Sequence, residues 1–106
     1  MNNFTDMLSK ARDMQEKMKK AQEVIKNIEV EGSAGGDLVK VILSGDYEMK
    51  SIYISEEAKK EDQEIINDLI KAAYNSAKDN LKKKSAEELS KITGGMSIPS
   101  DFKLPF

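Results

Sequence analysis

The sequence predicts an α+β fold of order α-β-β-β-α, in which two long helices flank a three-stranded antiparallel meander. Three patterns of apolar spacing support this prediction. Apolar residues first recur every three or four positions, then at every second position between residues 28 and 54, and then every three or four positions again until Gly94. The outer patterns are typical of amphipathic helices, and the middle pattern is typical of half-buried strands.

The first helix is predicted over residues 4–27. Its apolar positions follow one another at alternating steps of four and three, as they do along the contact line of a coiled coil. This line, called the methionine seam below, consists of Met7, Ala11, Met14, Met18, Ala21, Ile25 and Ile28. We expect the seam to pack against another helix, and we do not expect a ligand groove lined by methionine.

The meander is predicted over residues 28–54, with turns at residues 32–37 and 44–46, both rich in glycine and polar residues. The first turn is not predicted to bind phosphate, because a strand follows it instead of a helix. In the central strand, the two predicted faces are Val39, Val41 and Leu43 on one side and Leu38, Lys40 and Ile42 on the other. Apolar residues on both faces predict a partner layer. We therefore expect a homodimer joined through residues 28–54, notably through Leu38, Ile42 and Tyr53.

The second long helix is predicted over residues 60–93, after a short capping turn at residues 55–57. Its apolar positions are Ile65, Ile66, Leu69, Ile70, Ala73, Ala77 and Leu81. The pattern of residues 85–88 resembles a capping box, which raises the prospect of a break or kink near Ser85. Gly94 and Gly95 predict the end of the helix.

An apolar tail follows over residues 94–106. Two prolines separate its large side chains, which are Met96, Ile98, Phe102, Leu104 and Phe106. We expect Phe102, Leu104 and Phe106 to fold back onto apolar surface of the helices or the meander, with the prolines limiting the entropy lost on docking. The alternative is a flexible tail that recruits a partner.

The composition excludes several classes of function. The chain of 106 residues predicts one domain, and it contains neither cysteine nor histidine. Thiolate metal sites and histidine acid–base chemistry are therefore impossible, and adjacent carboxylates on a helix point about 100° apart. We expect no enzymatic activity, no metal, no cofactor and no small-molecule substrate. The chain lacks a membrane-spanning run and a signal-peptide pattern, so the expected location is the cytoplasm, away from the membrane.

Charge is distributed unevenly along the chain, although the net charge is only −2. Residues 1–27 have six basic and four acidic side chains, and residues 78–106 also have six and four, so each segment has a charge of +2. Residues 28–54 have two basic and five acidic side chains, and residues 55–77 have three basic and six acidic ones, so each segment has a charge of −3. The ends are mildly basic and the middle is acidic.

Four segments of the chain resemble the YbaB/EbfC family of bacterial nucleoid-associated proteins. They are MQEKMKKAQEVI, VEGSAGGDLVKVILSGDYEMKSIYI, INDLIKAAYNSA and the closing GMSIPSDFKLPF. The resemblance covers nearly the whole chain and implies a single DNA-binding domain over residues 1–106. It also implies a tweezer-like homodimer that binds double-stranded DNA at the nucleoid, contributes to nucleoid organisation and takes part in gene regulation, without a cofactor.

The candidate DNA-binding residues are cations of the two long helices. They are Lys10, Arg12, Lys17, Lys19, Lys20, Lys26, Lys78, Lys82, Lys83 and Lys84. Arg12, Lys19 and Lys26 recur every seven residues, opposite the methionine seam. Since no base-reading motif is present, we expect phosphate contacts with little sequence readout. The opposing interpretation of these charges is an ordinary solvated helix face with ion pairs at a spacing of four residues.

A second function class fits the same architecture. Two coiled-coil-like helices around a small meander also suit a prefoldin-like holdase, which would be an interaction protein with no role at DNA. Such a protein needs apolar side chains exposed at the helix tips. Met1, Phe4 and Leu8 are available there.

Overall fold

The computed structural model describes residues 2–94, except the side chain of Asn2. Its elements in chain order are α1 Asn2–Lys26, β1 Glu29–Ala34, β2 Val39–Ser44, β3 Met49–Ile54, α2 Glu56–Lys59 and α3 Gln63–Thr93. The three strands form one antiparallel sheet in the order β1-β2-β3. The predicted α-β-β-β-α order is confirmed, with α2 as the short turn expected before the last helix. The tail prediction for residues 95–106 lies outside the described residues.

One face of the sheet packs against α3. Val39, Val41 and Leu43 of β2 are fully buried there, in one cluster with Ala73 and Ala77 of α3. Alanine on the helix lets the two backbones approach closely, and burial of aliphatic side chains stabilises the contact by roughly 2 kcal/mol per residue. The core of the molecule therefore lies between α3 and the central strand.

Gly32 marks the closest approach of the sheet to α3. A Cβ atom added there would lie 2.1 Å from the backbone nitrogen of Ala77 and 2.3 Å from the carbonyl oxygen of Ala73. The sequence pattern placed Gly32 at the start of a turn, and this placement is wrong, because β1 continues to Ala34. Glycine is needed at this position for close packing.

From Met14 onward the methionine seam packs against the second half of α3, as predicted, whereas Met7 and Ala11 are exposed. Met18, Ala21 and Ile25 form a buried cluster with Leu89, and Met14 and Ile92 lie at its margin. The first half of α3 therefore contacts the sheet, and its second half contacts α1. Its buried positions, with half-buried Ser85 between them, are Ala73, Ala77, Leu81, Leu89 and Thr93.

The four-residue spacing of these buried positions explains how one continuous helix packs against two partners. Four residues turn an α-helix by 400°, so the buried line drifts by about 40° at each step. The line therefore winds from the side that faces the sheet to the side that faces α1. The break considered near Ser85 does not occur, because α3 is continuous from Gln63 to Thr93.

The ends of the last two helices follow the expected local chemistry. Ser55 is the N-cap of α2, and its hydroxyl accepts a hydrogen bond from the backbone N–H of Ala58 at 3.1 Å. Gly94 is the C-cap of α3, with a φ of 67° in the left-handed region that glycine tolerates. The predicted end of α3 is confirmed.

Leu38 lies on the opposite side of the sheet from the one predicted. It packs against the core cluster that faces α3, where its side chain lies close to Gly35. The residue precedes β2, so the two-residue alternation of the strand does not extend to it. Ile42 and Tyr53 do lie on the face away from α3, and Tyr53 remains 56% exposed.

Candidate nucleic-acid interface

The second half of α3 and the inner part of α1 form an antiparallel helix pair that projects from the sheet. We call this pair, residues 14–26 and 81–93, the stalk. Its base is next to the β2–β3 turn, where a Cβ atom added to Gly45 would lie 1.6 Å from the carbonyl oxygen of Ile25. At 1.5 Å per residue, each helix extends about 18 Å from this base to Met14 or Thr93. The longest dimension of the molecule is 71 Å.

The predicted cations of α1 are all exposed along its length. They are Lys10, Arg12, Lys17, Lys19, Lys20 and Lys26. Because Arg12, Lys19 and Lys26 are seven residues apart, their Cα atoms are separated by about 10 Å along the helix. The row therefore spans about 21 Å of helix on a side that the buried cluster does not occupy.

The predicted cations of α3 lie near the base of the stalk. Lys78 is half-buried, whereas Lys82, Lys83 and Lys84 are exposed. Successive helical residues point 100° apart, so these three consecutive lysines spread over about 200° of the helix circumference. They provide a broad positive surface, but they cannot all contact one phosphate strand at once. The antiparallel packing brings them to the same end of the stalk as Lys26.

The ion pairs of the described residues lie away from these cations. Between residues 3 and 94 there are four ion pairs, which join Lys40 to Asp37, Lys50 to Glu48, Lys59 to Glu56 and Lys91 to Glu88. None of the ten predicted DNA-binding residues belongs to them. Although Glu16 and Glu23 follow Arg12 and Lys19 at a spacing of four, neither pair is within 4.0 Å. The ion-paired interpretation of these helix faces therefore lacks the contacts that it requires.

At the sheet end of the molecule, acidic and basic side chains are mixed. A groove of about 340 Å³ at the base of α1 is lined by side chains of both signs, including Lys26, Lys50, Asp46 and Glu48. A hydrogen bond from the Ser44 hydroxyl lowers the pKa of the Asp46 carboxyl. Asp46 thus remains an anion at neutral pH, and it disfavours a phosphate at this position.

The sequence patterns did not reveal two features that shape this surface. One is the pair of close contacts at Gly32 and Gly45, which fix the sheet against α3 and α1. A glycine within an alternating strand is the signal that could have identified Gly32. The other feature is the extent of α1 beyond the end of α3. Met7 belongs to the seam by spacing, but it is exposed.

Two negative findings apply to the part of the chain that the structure describes. Residues 3–94 contain no group of three acidic side chains arranged to hold a metal ion. No helix within these bounds is both long and apolar enough to span a bilayer.

Comparison with known proteins gives the same family as the sequence motifs. The model of the YbaB/EbfC DNA-binding family matches residues 1–96. A nucleoid-associated protein of Bartonella bacilliformis is 42% identical over 107 aligned positions, which cover all of this chain and 99% of that protein. A nucleoid-associated protein of Rickettsia akari is 44% identical, with both chains fully covered. One from Xylella fastidiosa is 44% identical over 98% of this chain and 97% of its own length.

The relatives align with the apolar tail as well as with the helices and the meander, since two of them cover the whole chain. Their identity exceeds 40%, and the family model matches all of the described residues. The chain therefore belongs to the YbaB/EbfC DNA-binding family.

Proposed function

We propose that this protein binds double-stranded DNA as a homodimer, mainly through contacts of lysine and Arg12 side chains with phosphate. The observation that supports this most directly is the set of ten exposed or half-exposed cations outside the ion pairs of the described residues. Duplex DNA has one negative charge per about 1.7 Å of its axis, so a row of three cations about 21 Å long lies within reach of several phosphates. The relatives are named nucleoid-associated proteins, which agrees with this role.

The proposed binding is tolerant of sequence. Arg12 is the one arginine of the chain, and arginine is the residue best suited to bidentate contacts with guanine. Lysine acts as a point charge, and it positions a protein on the backbone without reading the bases. The protein would thus act at the nucleoid in the bacterial cytoplasm, contribute to its organisation and influence the expression of nearby genes.

The test of this proposal is a gel-shift titration of unrelated duplexes across a series of salt concentrations. We expect similar dissociation constants for all duplexes, on the order of 10⁻⁴ to 10⁻⁶ M at physiological salt. The affinity should fall steeply with salt, because each neutralised phosphate releases condensed counterions. A salt-independent affinity, or strong preference for one duplex, would contradict phosphate binding.

The proposed dimer joins two sheets through β3. All residues from Met49 to Tyr53 are exposed, and the apolar Ile52 is 44% exposed at this edge of the sheet. The opposite edge is partly occupied by α3, because the Asn80 side chain donates a hydrogen bond to the Glu31 carbonyl at 2.8 Å. Pairing of β3 with a second copy would satisfy its outer backbone groups and cover Ile42 and Tyr53 on the adjoining face.

We expect light scattering to show a dimer at micromolar concentration, and we expect Tyr53→Glu to shift it towards the monomer. The substitution would replace apolar surface at the proposed contact by a charge, whose desolvation is unfavourable even with Lys40 directly opposite on β2. The matched control is Val24→Glu, which adds the same charge at an exposed apolar position of α1 outside the sheet. A folded wild-type monomer at micromolar concentration would contradict the proposal.

A prefoldin-like holdase is the second candidate, and the exposure of Phe4 and Leu8 at the outer end of α1 favours it. Such side chains could hold unfolded chains by apolar contact. Two measurements separate the two functions. One is the duplex titration, and the other tests whether the protein suppresses the aggregation of a model substrate. Suppression without DNA binding would support the holdase, whereas DNA binding without suppression would support the nucleoid role.

A further inference from the structure

The first three turns of α1 extend beyond the end of α3. We call this part, residues 3–13, the overhang. Every residue of the overhang is exposed, and the first half-buried residue along the helix is Met14. The overhang is about 16 Å long at 1.5 Å per residue. Among the described residues, no element packs against it.

The overhang has an apolar side that the described residues leave uncovered. Phe4 and Met7 are 68% and 67% exposed, and Leu8 is also exposed. Met7 continues the methionine seam, which is buried from Met18 inward. A single helix of three turns is only marginally stable in water, so a covering layer would also be needed to hold it in shape. These residues therefore provide a docking surface.

The chain itself supplies a segment of suitable composition and length. Twelve residues follow Gly94, and they include Phe102, Leu104 and Phe106. An extended chain rises about 3.3 Å per residue, so twelve residues can reach about 40 Å, which exceeds twice the length of the overhang. The chemistry matches as well, since both partners offer large apolar side chains.

Helix α3 ends beside the start of the overhang, so this segment begins within reach of it. Met14 and Ile92 both pack at the margin of the buried cluster. Since α1 runs towards the sheet and α3 runs away from it, both residues lie at the outer end of the stalk, and α3 ends where the overhang begins. Gly94 then adopts a left-handed conformation, which turns the chain away from the helix axis. A groove of about 380 Å³ lies at the same point, bounded among the described residues by Lys10, Asp13, Met14 and Lys17.

We propose that residues 96–106 pack along the overhang of the same chain, with Phe102, Leu104 and Phe106 covering Phe4, Met7 and Leu8. A segment tethered at the base of its docking site has an effective concentration in the millimolar range, which favours the same chain over a partner. The contact would stiffen the part of α1 that contains Lys10 and Arg12. The proposal does not depend on DNA binding.

The first test uses the absence of cysteine from the chain. In the full-length double variant Met7→Cys/Leu104→Cys, we expect mild oxidation to form a disulfide within one chain. This product has the mass of the monomer on a non-reducing gel, and it resists alkylation. The matched control is Val24→Cys/Leu104→Cys, because Val24 is also an exposed apolar residue of α1 but lies about 25 Å further along the helix.

The outcomes of the cross-linking test are distinct. A disulfide within one chain for the Met7 variant, with little for the Val24 control, would support the proposal. A product with the mass of the dimer would mean that the tail of a second copy occupies the overhang, and this would overturn the same-chain assignment. Failure of the Met7 variant to cross-link, or equal cross-linking of both variants, would also overturn it.

The second test measures hydrogen exchange in the full-length variant Phe102→Ser/Leu104→Ser/Phe106→Ser. Without the apolar contact, the amides of residues 6–13 should exchange faster by about tenfold or more, whereas those of residues 18–25 should be unchanged. The control variant Asp101→Ser/Lys103→Ser alters the same segment but keeps its apolar side chains. Unchanged exchange in the overhang of the triple variant would overturn the proposal.

Discussion

Replacing Arg12, Lys19 and Lys26 together by glutamine is expected to weaken binding to every duplex and to reduce the salt dependence. Glutamine preserves helix propensity, and the three side chains are exposed and outside the ion pairs of the described residues, so the fold should be retained. Each lost phosphate contact lowers the slope of log K against log salt by about 0.9. If all six sites of a dimer contact phosphate, the slope falls by roughly 5.

The matched control for this variant is Lys59→Gln/Lys60→Gln/Lys71→Gln, which removes the same number of charges outside the stalk and outside β3. All three side chains are exposed, and Lys59 is engaged with Glu56, so it is poorly placed for DNA. Light scattering should show that both variants keep the oligomeric state of the parent. The assignment of α1 to DNA would be wrong if the first variant bound random duplex as tightly as the parent, or if the control lost as much affinity.

The substitution Gly32→Ala is expected to destabilise the fold strongly. The new methyl group would lie 2.1 Å from a backbone nitrogen of α3, and neither backbone segment can yield as a side-chain tip could. Helix α3 would have to move away from Val39 and Val41, which are now fully buried. Overpacking of this kind costs about 3 kcal/mol. At about 4–8 °C per kcal/mol, the melting temperature should fall by roughly 12–24 °C.

Gly36→Ala provides the comparison, because it tests the backbone conformation without a clash. Gly36 has a φ of 71°, and no atom lies within 4 Å of an added Cβ. The left-handed conformation alone costs alanine about 1 kcal/mol. The melting temperatures of both variants should be measured at the same protein concentration, since dimerisation would make the melting temperature depend on concentration. Equal losses in the two variants would refute the close-packing role of Gly32.

The sequence determined the type and order of the elements because each depends on local spacing. Alternating steps of four and three define the buried side of α1, and alternation by two defines the buried side of β2. Gly94 ends α3 for a reason that is also local, since few other residues accept a φ near 67°. The family, in contrast, is identified by the resemblance of four segments and by the family model over residues 1–96.

The positions of the cations along the helices were also predictable, but whether they form ion pairs within the described residues was not. A glutamate four residues after a basic residue is close enough to pair with it, and sequence alone cannot show whether it does. Only the side-chain positions showed that, within the described residues, Arg12 and Lys19 are outside the ion pairs whereas Lys91 is paired. The sequence therefore predicts which residues are candidates for phosphate contacts, but it does not predict which of them form ion pairs within the protein.

Tertiary structure alone decided what each element contacts. Glycine is common in turns, but Gly32 is needed because the backbones of Ala73 and Ala77 lie close to it. These two residues are more than forty positions further along the chain. Met7 and Met18 occupy equivalent positions of the seam, yet one is exposed and the other is buried. The difference in exposure arises because α3 covers α1 only as far as α3 itself extends. The point along α1 at which α3 ends depends on where both helices attach to the sheet. Local spacing determines which side of a helix is apolar, but only the packing of the whole chain determines how much of that side is covered.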